Sequence, residues 1–123
     1  MSERAAAEAF RGFVEDALDS LPADLTRMME NVDVVIEDEP PVEMLARLPR
    51  GHTLLGLYHG IPLTQRERYA NALPDKISIY RGPIERTARS PEGIRRQVRK
   101  TVIHEIAHHF GIEEERLHEL GWG

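Results

Sequence analysis

The chain has 123 residues, of which 41% are hydrophobic and 30% charged, so we expect residues 1–123 to form one globular domain. The formal net charge of -5 argues against a nucleic-acid partner, and the absence of cysteine excludes disulfides and thiolate chemistry and fits a reducing cytoplasm. No apolar run is long enough for a membrane span, and the first residues lack the apolar core of a signal peptide.

The first third of the chain predicts a helix, a strand and a short helical turn. Apolar residues from Ala5 to Leu21 recur at helical spacing, which predicts an amphipathic helix that ends before Pro22. The β-branched run at residues 32–37 predicts a strand. One helical turn is expected at residues 42–47, after a pair of prolines.

The middle of the chain predicts two more strands. The second strand is expected at residues 53–59, where Gly56 indicates a bulge or a close backbone approach. A long polar loop is expected at residues 61–75. The alternating segment at residues 76–81 predicts the third strand.

The last third predicts one long helix and one short helix. Ser90 is a good N-cap, and Pro91 suits the first helical turn, so the long helix should run from there to Phe110. Gly111 is a suitable residue for the turn after the helix. The acid-rich segment IEEERLHEL predicts a short final helix.

The long helix carries the motif H-E-x-x-H at His104, Glu105 and His108. Residues four apart lie on one face of a helix, so the two imidazoles can bind one metal ion. Glu105 can then accept a proton from a metal-activated water instead of binding the metal. We therefore predict Glu105 as the catalytic base and one Zn²⁺ per chain, although Co²⁺, Mn²⁺ and Ni²⁺ also bind such donors.

A third metal ligand must come from elsewhere in the chain. Gly111 and Glu114 extend the motif to H-E-x-x-H-x-x-G-x-x-E, which resembles the metzincin pattern, in which a glycine turn returns a third ligand to the metal. The chain departs from that pattern because it has Glu in place of His or Asp and no methionine after the motif. Glu114 is the predicted ligand, and its alternative interpretation is an acid in the first turn of a helix. The other candidates are Glu113, Glu115 and His118.

Three segments together resemble the small bacterial zincin-like metallopeptidases, a family long classed as a domain of unknown function and described as a minimal zincin. These segments are LGLYHGIPLTQR, ISIYRGPI and HEIAHHFGIEEERLHELGW, and the resemblance covers residues 31–122. It implies an α/β (α+β) zincin-like fold, with a small mixed sheet packed on helices and an H-E-x-x-H helix. It also implies metal binding by His104 and His108, catalysis by Glu105, and a third site position at Glu114.

Several other residues have two interpretations each. For His109 we favour a structural hydrogen bond over a substrate contact. For Tyr58, His59 and Tyr80 we favour strand packing, although each could face a peptide-binding cleft.

Two further sets of residues lie on the long helix. The apolar arc expected to be buried comprises Val98, Val102, Ile103, Ile106, Ala107 and Phe110. The basic stripe comprises Arg95, Arg96, Arg99 and Lys100, for which we favour a solvated face beside acidic neighbours over a nucleic-acid patch.

The first functional hypothesis is a zinc metallopeptidase that hydrolyses peptide bonds in a peptide or protein substrate held along an edge strand. The alternative is a catalytically silent metal-binding or interaction module with the same fold. A third and weaker hypothesis is a core helix with no metal. Neither a nucleic-acid nor a membrane partner is expected, and the substrate and the oligomeric state are left open.

Overall fold

The structure is a computed structural model that describes residues 2–49, 53–60 and 75–122. These ranges contain six helices and three strands in a mixed α+β arrangement, which confirms the predicted class. The elements are α1 (Glu3–Asp19), α2 (Ala23–Met28), β1 (Val32–Glu37), α3 (Val42–Leu45), β2 (Gly56–His59), β3 (Asp75–Tyr80), α4 (Arg81–Thr87), α5 (Pro91–His109) and α6 (Glu114–Leu120). In the described ranges, no helix is both long and apolar enough to cross a membrane.

The sheet has the strand order β1-β3-β2. β1 runs parallel to β3, with Val34 beside Ile77, and β2 runs antiparallel to β3, with Tyr58 beside the same Ile77. β2 therefore forms one edge of the three-stranded sheet, and its direction opposes that of the other two strands.

Helix α5 packs on the sheet and on α1, and this packing forms the core. The β-strand alternation places Ile77 and Ile79 on one face of β3, and both are fully buried. Phe10 and Val14 of α1 are also buried in the same hydrophobic cluster as α5. The buried apolar residues of α5 are Ile94, Val98, Val102, Ile103, Ile106 and Ala107.

Both ends of α5 have the local chemistry that the sequence predicts. The Ser90 side chain accepts a hydrogen bond from the Gly93 N–H at 3.0 Å, which caps the first turn. At the other end Gly111 has a φ of 68°, and the Ile112 N–H donates to the Ala107 carbonyl at 2.8 Å. This is the left-handed Schellman turn that glycine favours, and it reverses the chain into α6.

Several sequence predictions need correction. β2 begins at Gly56 and not at residue 53, and Asp75 belongs to β3 and not to the preceding loop. Arg81 starts α4 and does not end the strand. Phe110 is 48% exposed and lies at the C-cap, one residue past the end of the helix.

Helices α2 and α4 were not predicted, because each is too short to show a helical period. Leu25 is buried in the first, and Pro83 and Ile84 are buried in the second, so tertiary packing stabilises both helices. Residues 61–74 of the predicted loop lie outside the described residues.

Candidate metal centre

Helix α5 approaches the edge strand very closely, and Gly56 makes this possible. A Cβ atom at Gly56 would lie 2.6 Å from Cγ2 of Thr101 and 2.9 Å from the Ser78 carbonyl oxygen. Any side chain at this position would push the helix away from the strand. The close approach predicted for Gly56 is therefore present, and it places the H-E-x-x-H segment beside β2.

The Glu105 carboxylate accepts a hydrogen bond from the backbone N–H of Tyr58, with an N–O distance of 2.8 Å. The Tyr80 N–H donates to the Leu55 carbonyl, so residues 55 and 80 form a hydrogen-bonded pair of the antiparallel ladder. Hydrogen-bonded and non-hydrogen-bonded pairs alternate along an antiparallel ladder, so Tyr58 and Ile77 form a non-hydrogen-bonded pair. The Tyr58 N–H therefore points away from β3. The predicted base is thus held by the outer side of the edge strand.

The Tyr58 side chain links three elements beside this hydrogen bond. Its hydroxyl donates to Oδ2 of Asp75 at 2.8 Å, and its ring stacks on His109 with centroids 3.9 Å apart and planes 18° apart. Nε2 of His109 also lies 3.9 Å from Oδ2 of Asp75. The structure thus places His109 in a packing contact with the edge strand, where the sequence predicted a structural hydrogen bond.

About 100° around α5 from Glu105, His104 faces Glu114. Its Nε2 lies 3.5 Å from Oε1 of Glu114. Two donor atoms bound to one tetrahedral Zn²⁺ at 2.0–2.1 Å lie about 3.4 Å apart. The distance between these two atoms is therefore close to the one that a shared zinc ion would give, and the donor types are those that zinc accepts.

His108 lies farther from this pair. Its ring centroid is 6.1 Å from that of His104 and its plane is perpendicular, whereas two imidazoles bound to one tetrahedral ion have centroids about 5 Å apart. In the described ranges, no three His, Asp or Glu side chains converge as a ready metal site. His108 is exposed, so its ring is free of the packing that would prevent it from turning toward His104.

A cavity of about 390 Å³, which we call the metal cavity, lies at these residues. Its lining includes His104, His108, Glu113 and Glu114, together with the Gly111 turn. Of the alternative third ligands, Glu113 faces this cavity, whereas Glu115 does not line it and His118 lines a neighbouring one.

A second cavity, of about 380 Å³, lies between α5 and the edge strand, and we call it the edge cavity. It is lined by Leu54, Leu55, Gly56, Gln97, Lys100, Thr101, His104 and Glu105. His104 therefore faces both cavities, and Glu105 faces the one that runs beside β2.

The other two candidates, Tyr80 and His59, do not face the site. Tyr80 is 1% exposed and belongs to the core. Nε2 of His59 is 3.1 Å from the Ser78 hydroxyl. Burial lowers the pKa of His59, Lys76 lowers it further, and the carboxylates of Glu37 and Glu105 oppose the shift. Neither residue faces the edge cavity or the metal cavity.

The comparisons with known proteins identify a family and a shared fold. The sequence profile of the zincin-like metallopeptidases matches residues 29–122. The chain belongs to this family. The zincin-like match confirms the predicted family and fold, and zinc binding is a general property that the family implies.

A solved structure has a similar fold. The chain is similar to a conserved hypothetical protein from Thermus thermophilus, with 25% identity and a TM-score of 0.56 over 85% of this chain and 94% of that chain. No curated protein sequence matches the chain. The structural match shows that the two chains share a fold, and its title names no activity.

Sequence reasoning missed two partners of the site. The first is the backbone N–H of Tyr58, which no side-chain motif can indicate. The second is Asp75, which was assigned to a loop and which binds the Tyr58 hydroxyl. The available signal was the alternation of β3, because Asp75 lies on the same face as Ile77 and Ile79.

Proposed function

We propose that this zincin-like protein is a zinc-dependent metallopeptidase. The observation that carries the proposal is the position of Glu105, which follows His104 on α5, faces the edge cavity and accepts a hydrogen bond from the Tyr58 N–H. A carboxylate beside a metal ligand and against an edge strand is positioned to serve as a base for water that attacks an extended peptide.

His104, His108 and Glu114 would hold the zinc ion, because their donors match zinc chemistry and the first and last already have the ligand spacing. When bound, zinc supplies a Lewis acid for the scissile carbonyl and lowers the pKa of a water molecule to near 7.

The residues of the chain supply the other requirements of hydrolysis. One Glu105 oxygen is held by the Tyr58 N–H, which fixes the carboxylate on the side of α5 that faces the strand. The carboxylate accepts a proton from the attacking water as the new C–O bond forms, and then transfers it to the departing amine nitrogen as the C–N bond breaks.

The edge strand supplies the substrate-binding surface. By the same ladder alternation, the peptide groups of Gly56 face outward, as the Tyr58 N–H does. Because the Tyr58 N–H is bonded to Glu105, a peptide laid along this edge would pair with the outward-facing groups of Gly56 by β-augmentation, which selects an extended peptide or a flexible protein segment as the substrate.

The second candidate is a catalytically silent metal-binding module. The wide separation of the His104 and His108 rings favours it, because in the described ranges no three ligands converge. The two candidates share the same metal ligands and differ in whether Glu105 supports turnover.

The deciding experiment compares the wild type with Glu105→Gln on a peptide library at a stated zinc concentration. Glu92→Gln is the matched control, because Glu92 lies in the first turn of the same helix, far from His104. We expect the Glu105 substitution to lower turnover by about 10²- to 10⁴-fold and to leave zinc content unchanged. No cleavage by the wild type would favour the silent module, and equal cleavage by the wild type and Glu105→Gln would overturn the role of Glu105 as the base.

A further inference from the structure

A third cavity, of about 420 Å³, adjoins the candidate metal centre on the α6 side, and we call it the basic cavity. Its lining contains the cations Arg96, Arg99 and Lys100 of α5. It also contains three buried apolar residues, Ile103 of the same helix, Leu117 of α6 and Trp122. The cavity thus combines an apolar floor with a positively charged rim.

The cations of this rim are arranged in line with the metal centre. Arg96, Lys100 and His104 follow one another at intervals of four residues, so they lie on one face of α5. In the described part of the chain, neither Arg96 nor Lys100 forms an ion pair, whereas Arg95 binds Asp16 at 3.1 Å. The predicted solvated face is present at Arg96 and Lys100, which are exposed, whereas only Arg95 of these three cations binds an acidic neighbour.

The third cation of the rim is held in place. The Arg99 guanidinium donates to the carbonyl oxygen of Ser20 at 2.5 Å and to its hydroxyl at 3.2 Å. These acceptors are uncharged, so they do not offset the positive charge of Arg99. A chain with a net charge of -5 thus concentrates three cations beside its candidate active site, and no carboxylate of the described ranges forms an ion pair with them.

The basic cavity is continuous with the surface proposed for the substrate. Lys100 and His104 line both the basic cavity and the edge cavity. A peptide that lies along β2 therefore passes these two residues, and one of its side chains can enter the basic cavity.

We infer that the basic cavity binds an acidic side chain of the peptide substrate, and this inference rests on the proposed peptidase function. A glutamate side chain has an apolar stem for the floor and a carboxylate for the cationic rim. Glu114 also lines the cavity, and its negative charge would repel an acidic ligand. Its carboxylate, however, is directed to His104 at 3.5 Å.

The chain contains a single tryptophan, and it lies in this cavity, so Trp122 fluorescence reports occupancy without any need for turnover. The probes are two pentapeptides without aromatic residues, blocked at both ends, with either Glu or Gln at the centre. They are titrated into full-length Glu105→Gln protein. We expect the Glu peptide to bind about three- to tenfold more tightly at low salt and the preference to shrink as salt is added.

Three charge reversals test the cause of that preference. Arg96→Glu and Lys100→Glu should each reduce binding of the Glu peptide about three- to tenfold and leave the Gln peptide unchanged. Arg11→Glu is the control, because this substitution changes the net charge by the same amount. Arg11 is an exposed residue of α1 and does not line the cavity. Equal binding of the two peptides, or an equal effect of all three reversals, would overturn the inference.

A third peptide separates two sources of a carboxylate. It has Gln at the centre and a free carboxyl terminus. Tighter binding of this peptide than of the blocked Glu peptide would overturn the assignment to a side chain. Because the titrations use a variant without the catalytic carboxylate, a Glu preference there would stand even if the wild type proved unable to cleave any peptide.

Discussion

Two carboxylates lie beside the C-terminal half of α5, and they are held in different ways. On the strand side, Glu105 accepts a hydrogen bond from a backbone N–H of the sheet at 2.8 Å. On the other side, Glu114 meets His104 only through side chains, which are 57% and 34% exposed respectively. Glu114 also belongs to a helix of seven residues, which follows a glycine turn.

The difference shows which part of the site is set by folding and which part needs the metal. A backbone donor in a sheet has a fixed direction, so the fold itself positions Glu105. Exposed side chains that must share one ion lose rotamer entropy when they converge, and metal binding provides the free energy for that ordering. We therefore expect the base to be preorganised and the metal ligands to become ordered when zinc binds.

Removal of metal ligands should give the largest effects. We expect His104→Ala and His108→Ala to weaken zinc binding by at least about 100-fold, because loss of even an outer partner costs 10- to 100-fold. Glu114→Gln should weaken it about tenfold, since the side chain is exposed. A competition titration against a chromophoric chelator measures these affinities.

Two substitutions serve as controls for that titration. Glu115→Gln should leave zinc affinity unchanged, because Glu115 lines neither the metal cavity nor the edge cavity. Glu105→Gln should also leave it unchanged. A loss of affinity in Glu105→Gln would mean that the strand-side carboxylate is itself a ligand, and the contrast between the two sides would disappear.

The contact that brings α5 to the strand should give the next largest effect. Gly56→Val places side-chain atoms against Thr101 and the Ser78 carbonyl, so we expect a loss of about 2 kcal/mol in the free energy of unfolding. Urea unfolding measures this loss. Gly12→Ala is the comparison, because a Cβ atom there meets nothing within 4 Å and should stabilise α1 by about 0.5–1 kcal/mol. An unchanged midpoint in Gly56→Val would show that the close approach is not required.

The smallest effect should be a pH dependence on the strand side. Burial lowers the pKa of His59 in the folded protein, so the unfolded chain binds a proton first as the pH falls. The folded protein therefore keeps its full stability above the unfolded histidine pKa of about 6.5. It loses stability as the pH falls from there through the folded pKa of His59. In His59→Gln, the urea concentration at the unfolding midpoint should depend less on pH in this window. A profile that the substitution leaves unchanged would contradict the shift.

Sequence reasoning worked where the signal was local. It located α5 within one residue at its C-terminal end, because the Ser90 cap and the Gly111 turn are short-range features. It located β1 from its β-branched run. It missed α2 and α4, whose stability depends on the burial of residues such as Leu25 and Ile84 against distant parts of the chain.

The same division holds for the candidate site. The spacing of His104, Glu105 and His108 indicated a metal site and a base because helical periodicity alone places the two imidazoles on one face. Glu114 was proposed from the glycine turn, and the structure brings it to 3.5 Å from His104. The metal-binding assignment of all three ligands stays a prediction.

The sequence by itself determined the H-E-x-x-H helix, its caps and the turn toward Glu114, because each depends on residues within one or two helical turns. Only the tertiary structure decided that the Tyr58 N–H holds Glu105, since 47 residues separate the two and only the Gly56 contact brings them together. It also decided that Arg96 and Lys100 border a cavity with Trp122. Such arrangements depend on how helices and strands pack, and no local pattern encodes that packing.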